Sequence, residues 1–476
     1  MSGQVMKPTV EAGDPSWWFA EARAHEGNLP PAPALTGEVV ADVAIVGGGF
    51  TGMWTALALK QRRPDLSVVL IEAALCGSGV SGKNGGLVHG YWAALPGLNA
   101  LVGPDAALAA ARAGSRAMAG IRAFAEGRDF WLREDGNLRV STTPAQDAAI
   151  RRMVDTAREL GVPEEARFLT REDLPPFLQA PFYRNGVFLR EGGTLHPGRL
   201  VRALRQAVLD AGVSVCENTP MTGLDRATPN RITTPQGQIT AREVVLATYA
   251  ALAPDPEIAP YVTLFSSYAL ATEPAPDKLA AIGWESGMGV ADVRMFVHYF
   301  RRLNDGRFVL GTGGGPLAYG GNGKAPQFTR HDFSVARIEA ALKRLVPALA
   351  DVPVARAWGG PIDISSDRFP MFKTFAGTRV HYGCGYSGHG INPTWIGGQC
   401  LASLVLGQKD EWTSLPFCTR TLPRLPPEPF RYLGGKAIRA AILSCEDAED
   451  QGRRGSLLAR ATATIPKLFG LRIGTR

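Results

Sequence analysis

Apolar and polar positions along the chain fall into two textures. Asp42-Val43-Ala44-Ile45-Val46 is a short apolar run of strand character. It leads through Gly47-Gly48-Gly49-Phe50-Thr51-Gly52 into a helix-compatible stretch, Thr51 to Lys60, that carries Met53, Trp54, Leu57 and Leu59. That is a strand, a tight turn and a helix. A second strand, Val68-Val69-Leu70-Ile71, ends in Glu72. The texture then changes: residues 104–126 are alanine-rich and helical in composition, Asn137 to Ser141 reads as a short strand, and 144–160 as a further helix. The α/β pattern returns with a helix from Pro197 to Gly212, proline in its first turn and glycine at its end, then strands at Val213 to Glu217 and Val244 to Thr248. Antiparallel strands follow at Tyr261 to Thr272, Arg294 to Phe300 and, after the Asn304-Asp305-Gly306 turn, Arg307 to Gly311, with a helix over Phe333 to Leu345. The pattern returns a last time at Arg379 to Tyr382, followed by a glycine-rich turn and a helix to about Leu406. This is the signature of an α/β fold whose nucleotide-type domain is discontinuous, with other material inserted.

Composition narrows the class without naming it. At 45% hydrophobic and 20% charged residues over 476 positions, the chain reads as an ordinary globular protein of two or more domains. A net charge of +7 allows attraction of acidic small molecules or anionic lipid. It does not argue for nucleic acid, since no zinc-finger spacing or aromatic-basic stacking run accompanies it. The six cysteines never form Cys-x-x-Cys and read as reduced thiols of a cytoplasmic protein. Residues 1–14 lack a basic region followed by an apolar core, so no signal peptide is expected. No stretch reaches the roughly eighteen apolar residues of a membrane span.

Three motifs carry the chemistry. In the first, Gly47 lets the chain turn sharply, Gly49 lets backbone approach a pyrophosphate, and Gly52 lets the helix lie on the strand, while Glu72 stands where a ribose hydroxyl pair is bound. Three glycines alone mean little in a chain with 55 of them; the strand, helix and terminal acid make the pattern specific. The second, Cys76-Gly77-Ser78-Gly79-Val80-Ser81-Gly82-Lys83-Asn84-Gly85-Gly86, suggests backbone threading past a flat or anionic ligand. The third, Gly385-Tyr386-Ser387-Gly388-His389-Gly390-Ile391, places His389 at a helix N-terminus, where it can aim partial positive charge at a developing anion. No metal motif and no Ser-His-Asp arrangement with convincing spacing is present.

At these separations the three motifs together resemble the FAD-dependent amine and amino-acid oxidoreductases of the D-amino-acid oxidase type. The chain is most similar to the gamma-glutamylputrescine oxidase branch and more distantly similar to glycine oxidase and monomeric sarcosine oxidase, over roughly residues 15–430. The resemblance implies a discontinuous Rossmann-like FAD-binding domain, a mixed or antiparallel β-sheet substrate domain with helices, and a C-terminal extension. The expected division is an N-terminal arm (1–38), FAD-binding segments at 39–110, 191–255 and 351–410, substrate-domain segments at 111–190 and 256–350, and the extension at 411–476. It places Gly47, Gly49, Phe50, Thr51 and Gly52 at the pyrophosphate and Glu72 at the adenosine ribose. Ser81, Gly82, Lys83, Asn84 and Gly86 fall along the phosphates and flavin, Met221 near the adenine, Thr248 beneath the cofactor, and Gly385, Tyr386, Gly388, His389, Gly390 and Ile391 at the ring.

The implied reaction is oxidation of an amine to an imine, with a hydride passing to flavin and electrons going on to O2 or another acceptor. The protein supplies position and electrostatics. Sarcosine oxidases hold flavin on a cysteine near the position of Trp358-Gly359-Gly360-Pro361-Ile362-Asp363, where this chain has none, so non-covalent FAD is expected. Asn392 replaces the lysine that assists reaction with oxygen, and Leu87-Val88-His89-Gly90 replaces the arginine segment that holds a substrate carboxylate. The candidates for a different anchor are His89, Trp92, Arg294, Trp358 and Asn392, with His298 and Tyr299 beside His389 as candidate catalytic groups. By alternation Arg294, His298 and Phe300 share one strand face, and Tyr299 and Arg301 the other. Two alternatives stand beside this: an amine dehydrogenase with a non-oxygen acceptor, and a non-catalytic flavin-holding subunit. In the latter the basic tail, including Lys436, Arg439, Arg453, Arg454, Arg460, Lys467 and Arg472, touches a membrane surface.

Overall fold

In a computed structural model, which describes residues 8–468 and 471, the two textures separate into two eight-stranded sheets plus a two-stranded ribbon. The first sheet runs in the order Met371–Thr374, Val380–Cys384, Gly237–Leu246, Gly37–Val46, Val68–Ile71, Ser214–Cys216. Along this path all neighbours are parallel except the edge strand Met371–Thr374. Parallel strands are covered on both faces, which is why 43–46, Val68–Ile71 and 244–246 are unbroken apolar runs and are all buried. Helix Phe50–Arg62 lies beside helix Ile391–Val405, with the Arg62 guanidinium donating to Gln399 (2.6 Å) and Ser403 (2.7 Å). The residues that open and close the nucleotide-type pattern are therefore neighbours in space.

The second sheet is mixed, in the order Val354–Ser365, Val262–Thr272, Phe308–Thr312, His298–Arg302, Gly289–Asp292, Asn137–Val140, Gly186–Leu189, Arg167–Leu169. Gly289–Asp292 and Asn137–Val140 run parallel and every other neighbouring pair is antiparallel. One expectation changes here: the strand expected from Arg294 to Phe300 begins only at His298. Asp292 accepts from the backbone N–H groups of Arg294 (3.3 Å) and His298 (2.9 Å), and this carboxylate pins a turn where alternation alone reads a strand.

Both ends of the described chain pack on this body. Helix Trp17–His25 is capped by Ser16, whose Oγ accepts from Phe19 N–H (3.1 Å), and it buries Trp18 completely against the His196 ring. In the tail, helix Phe430–Asp450 is bonded to the second sheet at several points. Arg439 Nε donates to the Gly314 and Gly315 carbonyls (2.7 and 2.9 Å), Glu446 accepts from Phe296 N–H (3.1 Å), and Asp450 pairs with Arg294 and Arg344. Arg431 and Arg439 thus point into the protein and not at a membrane surface, while Arg453, Arg454, Arg460 and Lys467 are exposed and Arg472 lies outside the described residues. Among the described residues no helix is long and apolar enough to cross a membrane.

Glu217, fully buried, joins three parts of the chain. Its Oε2 accepts from Ala32 N–H (2.6 Å) and Arg205 Nη2 (2.9 Å), and its Oε1 from Cys76 N–H (2.7 Å) and Arg205 Nε (3.1 Å). Burial pushes its carboxyl up, yet Arg205 and the two N–H groups outweigh that and hold it below the ordinary range. Glu217→Ala leaves Arg205 buried without its carboxylate and is expected to cost about 3–5 kcal/mol in urea denaturation. Glu217→Gln, which keeps one acceptor oxygen, is expected to cost less.

Candidate active site

The parallel strands of the first sheet end at one edge, and the residues that follow them open onto a single cavity of about 1270 Å³. Gly47, Glu72, Ala247, Thr248 and Tyr386 all line it, as ligands of open α/β sheets are bound beyond the strand ends. Gly47 has φ +113°, and a Cβ there would lie 2.5 Å from the Ala247 carbonyl oxygen, so only glycine fits. A Cβ at Gly52 would sit 1.9 Å from the Gly47 oxygen, so the helix rests directly on the turn, and Gly52 shapes the wall without lining it. Gly49, Phe50 and Thr51 put the helix N-terminus at the cavity, and Ser81 Oγ accepts from Phe50 N–H (2.9 Å). Glu72 accepts from Gly48 N–H (2.8 Å) and Ala74 N–H (3.0 Å), and burial raises its carboxyl pKa.

The glycine-rich loop and the C-terminal turn close on the same space. Ser81, Lys83, Asn84, His89 and Trp358 line it; Trp358 donates from Nε1 to the Lys83 carbonyl (2.8 Å), and Lys83 pairs with Asp14 (3.0 Å). Met221 and Thr248 line it from the first-sheet side, and Tyr386, Gly388, His389, Gly390 and Ile391 from the turn. Thr51 and Tyr386 share a hydroxyl hydrogen bond of 2.6 Å that joins the two ends of the α/β pattern. Asp363, on the long strand Val354–Ser365, accepts from the N–H groups of Gly385 (2.5 Å) and Tyr386 (3.0 Å). Its carboxyl is pushed up to about 8 by burial, against those N–H groups and the Tyr249 hydroxyl.

Four nitrogen-bearing side chains gather where the second sheet meets this turn. The His89 and His389 rings lie 5.5 Å apart at their centroids, and Arg139 Nη2 is 3.3 Å from His89 Nε2; Arg368 lines the same cavity. Burial, and then the Arg139 guanidinium, lower His89 to about 3. Burial, then His89, Arg368 and Arg139, hold His389 well below its ordinary value. Both imidazoles are therefore neutral at neutral pH, whereas Arg139 and Arg368, lowered by burial only to about 10, stay charged. The Tyr299 phenol, raised by burial, also lines the cavity, with Ser267 Oγ 3.5 Å from its hydroxyl. Such a site attracts an anionic group and disfavours a bound cation.

The structure corrects several sequence expectations. His298 is buried with Nδ1 2.7 Å from Asp292 and does not line the cavity, nor does Arg294, which pairs with Asp292 and Asp450. Trp92 is turned into the core, donating to Glu191 (3.0 Å), and Asn392 is fully buried in its helix beside the Gly114 carbonyl. Of the cofactor candidates, Gly82, Gly86 and Gly385 stand behind the lining with Gly52. Gly86 offers its carbonyl to Arg301 (2.8 Å), and Gly385 gives its N–H to Asp363. Of the two strand faces, it is Tyr299 that reaches the cavity, while Arg301 sits behind it holding loop carbonyls. Sequence reasoning missed Arg139, Tyr249, Asp363 and Arg368. Tyr249, Arg368 and Ser387 are non-glycine residues with φ of +53°, +76° and +55°, and all three line the cavity, a concentration of backbone strain typical of functional sites. No sequence signal marks those angles; an aspartate soon after the Gly359-Gly360 pair was the available hint for Asp363.

A family model described as FAD dependent oxidoreductase matches residues 42–404. The chain is 27% identical over 424 residues to gamma-glutamylputrescine oxidoreductase of Escherichia coli (strain K12), covering 87% of this chain and 93% of that protein. It is 30% identical over 440 residues to the probable oxidoreductase OrdL of Rhizobium meliloti (strain 1021), covering 90% and 95%. Its fold is similar to that of glycine oxidase from Geobacillus kaustophilus, with a TM-score of 0.64 at 21% identity over 81% of this chain and 100% of that one.

Two measurements test the site as built. Asp363→Ala removes the acceptor for two turn N–H groups and is expected to cost about 2–4 kcal/mol in urea denaturation. His89 takes up its proton in the unfolded chain at its ordinary pKa but in the folded chain only near 3, so its burial erodes stability as pH falls below about 6.5. The difference between wild type and His89→Gln should shrink from pH 7 to pH 5 by about 1.4 kcal/mol per pH unit once below 6.5; a pH-independent difference would show that His89 protonates freely in the folded state.

Proposed function

Because the chain belongs to the FAD-dependent oxidoreductase family, we propose that it oxidises a primary or secondary amine to an imine that water hydrolyses to an aldehyde or keto product and ammonia or a smaller amine. Its substrate on this reading is a gamma-glutamyl amine, a polyamine or an amino-acid-like amine, and O2 is the final acceptor. The observation that carries the reading is the one cavity lined at once by the Gly47/Gly49 turn, Glu72, the 81–84 loop, the 386–391 turn and the Arg139, His89, His389 group. Similarity to gamma-glutamylputrescine oxidoreductase of Escherichia coli supports the gamma-glutamyl amine class.

The residues present fit FAD. A Cβ at Gly49 would lie 2.9 Å from Ser81 Oγ, so backbone and the helix N-terminus form a close cradle suited to a pyrophosphate. Gly47, Gly49, Phe50, Thr51, Ser81, Lys83 and Asn84 would hold the phosphates, Glu72 the ribose, Met221 the adenine end and Tyr386 to Ile391 the ring. Bound FAD supplies a two-electron acceptor for the hydride that leaves the carbon beside nitrogen. The chain's own part is electrostatic. Arg139 and Arg368 pull an anionic substituent into the cavity and raise the cost of an ammonium, so the amine is held in the neutral form that can release a hydride. Neutral His89 and His389 add no further positive charge beside it, and Tyr299 walls the cavity from the same sheet face as Arg139.

Anaerobic mixing with a panel of polyamines, gamma-glutamylated amines and N-methyl amino acids should bleach the flavin with at least one, and readmitted air should restore the colour. A protein bleached by NADPH and by none of the amines would overturn the reading. No cysteine among the described residues lines the cavity, so acid precipitation should release the yellow chromophore into the supernatant. Arg139→Met should lower kcat/KM for a carboxylate-bearing amine about 10- to 100-fold, the loss of one charge-assisted contact. It should leave an amine without an anionic group much less affected.

A further inference from the structure

The tail is part of the cavity wall. Gly434, Ile438 and Ile442 of helix Phe430–Asp450 line it, at i, i+4 and i+8, so they form one stripe along the helix. The helix cannot drift from that position. Arg439 holds the Gly314 and Gly315 carbonyls, Glu446 holds Phe296 N–H, and Asp450 holds Arg294, so the loops that carry Phe296 and Gly314 to the cavity are the ones the helix is bolted to. Within this helix stands a Gly434-Gly435 pair, each glycine weakening a helix interior relative to alanine. Neither has a conformational need for glycine, since neither has a positive φ. A Cβ at Gly434 would meet nothing within 4 Å, so what the residue provides is space. The family model ends at residue 404, before this helix begins, so the wall lies outside the matched region.

We propose that helix Phe430–Asp450 sets the length of molecule the cavity accepts, with Gly434 the specificity-determining position. The substrate is then an elongated amine whose uncharged, largely aliphatic segment lies along Gly434, Ile438 and Ile442. This rests on reading the cavity as the amine site, and it deepens that reading by naming the shape of the substrate. The aliphatic segment gains from burial against the two isoleucines, by about four-fold in affinity per methylene, and a side chain at position 434 takes up the room it needs.

The test uses the FAD-loaded full chain and straight-chain monocarboxylates from acetate to octanoate, which the enzyme cannot oxidise, with Kd read from perturbation of the flavin absorption. In wild type, affinity should rise about four-fold per added methylene. In Gly434→Leu the rise should stop at a shorter chain, with acetate unaffected, while Ala437→Leu, at an exposed position outside the cavity lining, should follow wild type. Leucine favours helix over glycine, so an unchanged or raised Tm in Gly434→Leu shows that the effect is not unfolding. The proposal falls if wild type shows no chain-length dependence or no carboxylate binding, or if Gly434→Leu tracks wild type. None of these readouts needs turnover, so a protein that bleaches with no amine would sink the proposed reaction and leave this result to be judged by itself.

Discussion

The Asp363 carboxylate is the contact on which the site depends. It belongs to the long strand Val354–Ser365 of the second sheet, yet its acceptors are filled by N–H groups of a turn that leaves the last strand of the first sheet. Beside it, Ile364 forms a backbone bridge to Tyr386. The turn it grips contains Gly385, Ser387 and Gly388 at positive φ, a backbone shape that does not hold itself and needs an outside partner to over-determine it. Each oxygen takes one N–H, so an amide of the same shape would set its NH2 against one of the two donors, whereas a carboxyl offers an acceptor to both, at the cost of burying it completely. The two sheets are thereby registered to each other at the edge where the cavity opens.

Charge is handled there in an uncommon way. The cavity keeps two guanidiniums and two imidazoles together, and desolvation resolves the crowding by leaving the imidazoles neutral. Nearby, Asp292, which could have answered Arg139 directly, is occupied by His298 and Arg294. The Arg139 charge thus faces the cavity while Asp292 and Arg294 behind it are paired, and the same pairing ties Arg294 to the tail through Asp450. Substrate attraction and tail docking rest on one network.

Much of the first sheet was legible because parallel buried strands are written as continuous apolar runs with glycines at their ends, and Gly47, Gly49, Glu72 and His389 reach the cavity as that pattern implies. The second sheet was legible as strands but not as a surface. Which face of His298–Arg302 meets the cavity depends on the pairing with Phe308–Thr312 and on the Asp292 turn, neither of which local alternation contains. That is why Arg294 and His298 read as site residues while Arg139 passed unnoticed. Asn392 and Trp92 failed for a different reason: Asn392 stands between the lining residues Ile391 and Pro393 and Trp92 only three residues beyond His89, yet both side chains turn into the core. The tail left membrane contact open as an alternative to packing on the core because a helix's docking partner leaves no trace in the helix's own periodicity.

The pairing of Gly37–Val46 carries a consequence for synthesis. Gly37 lies beside Gly237, and the strand beyond that one is Val380–Cys384. An early-emerging central strand therefore waits, with its hydrogen-bonding edge and apolar faces uncovered, until distant parts of the polypeptide leave the ribosome. Such non-local order makes folding slow and exposes an adhesive edge in the meantime. Overproduction raises the concentration of chains in that open state, where unpaired strand edges favour aggregation before the sheet can close.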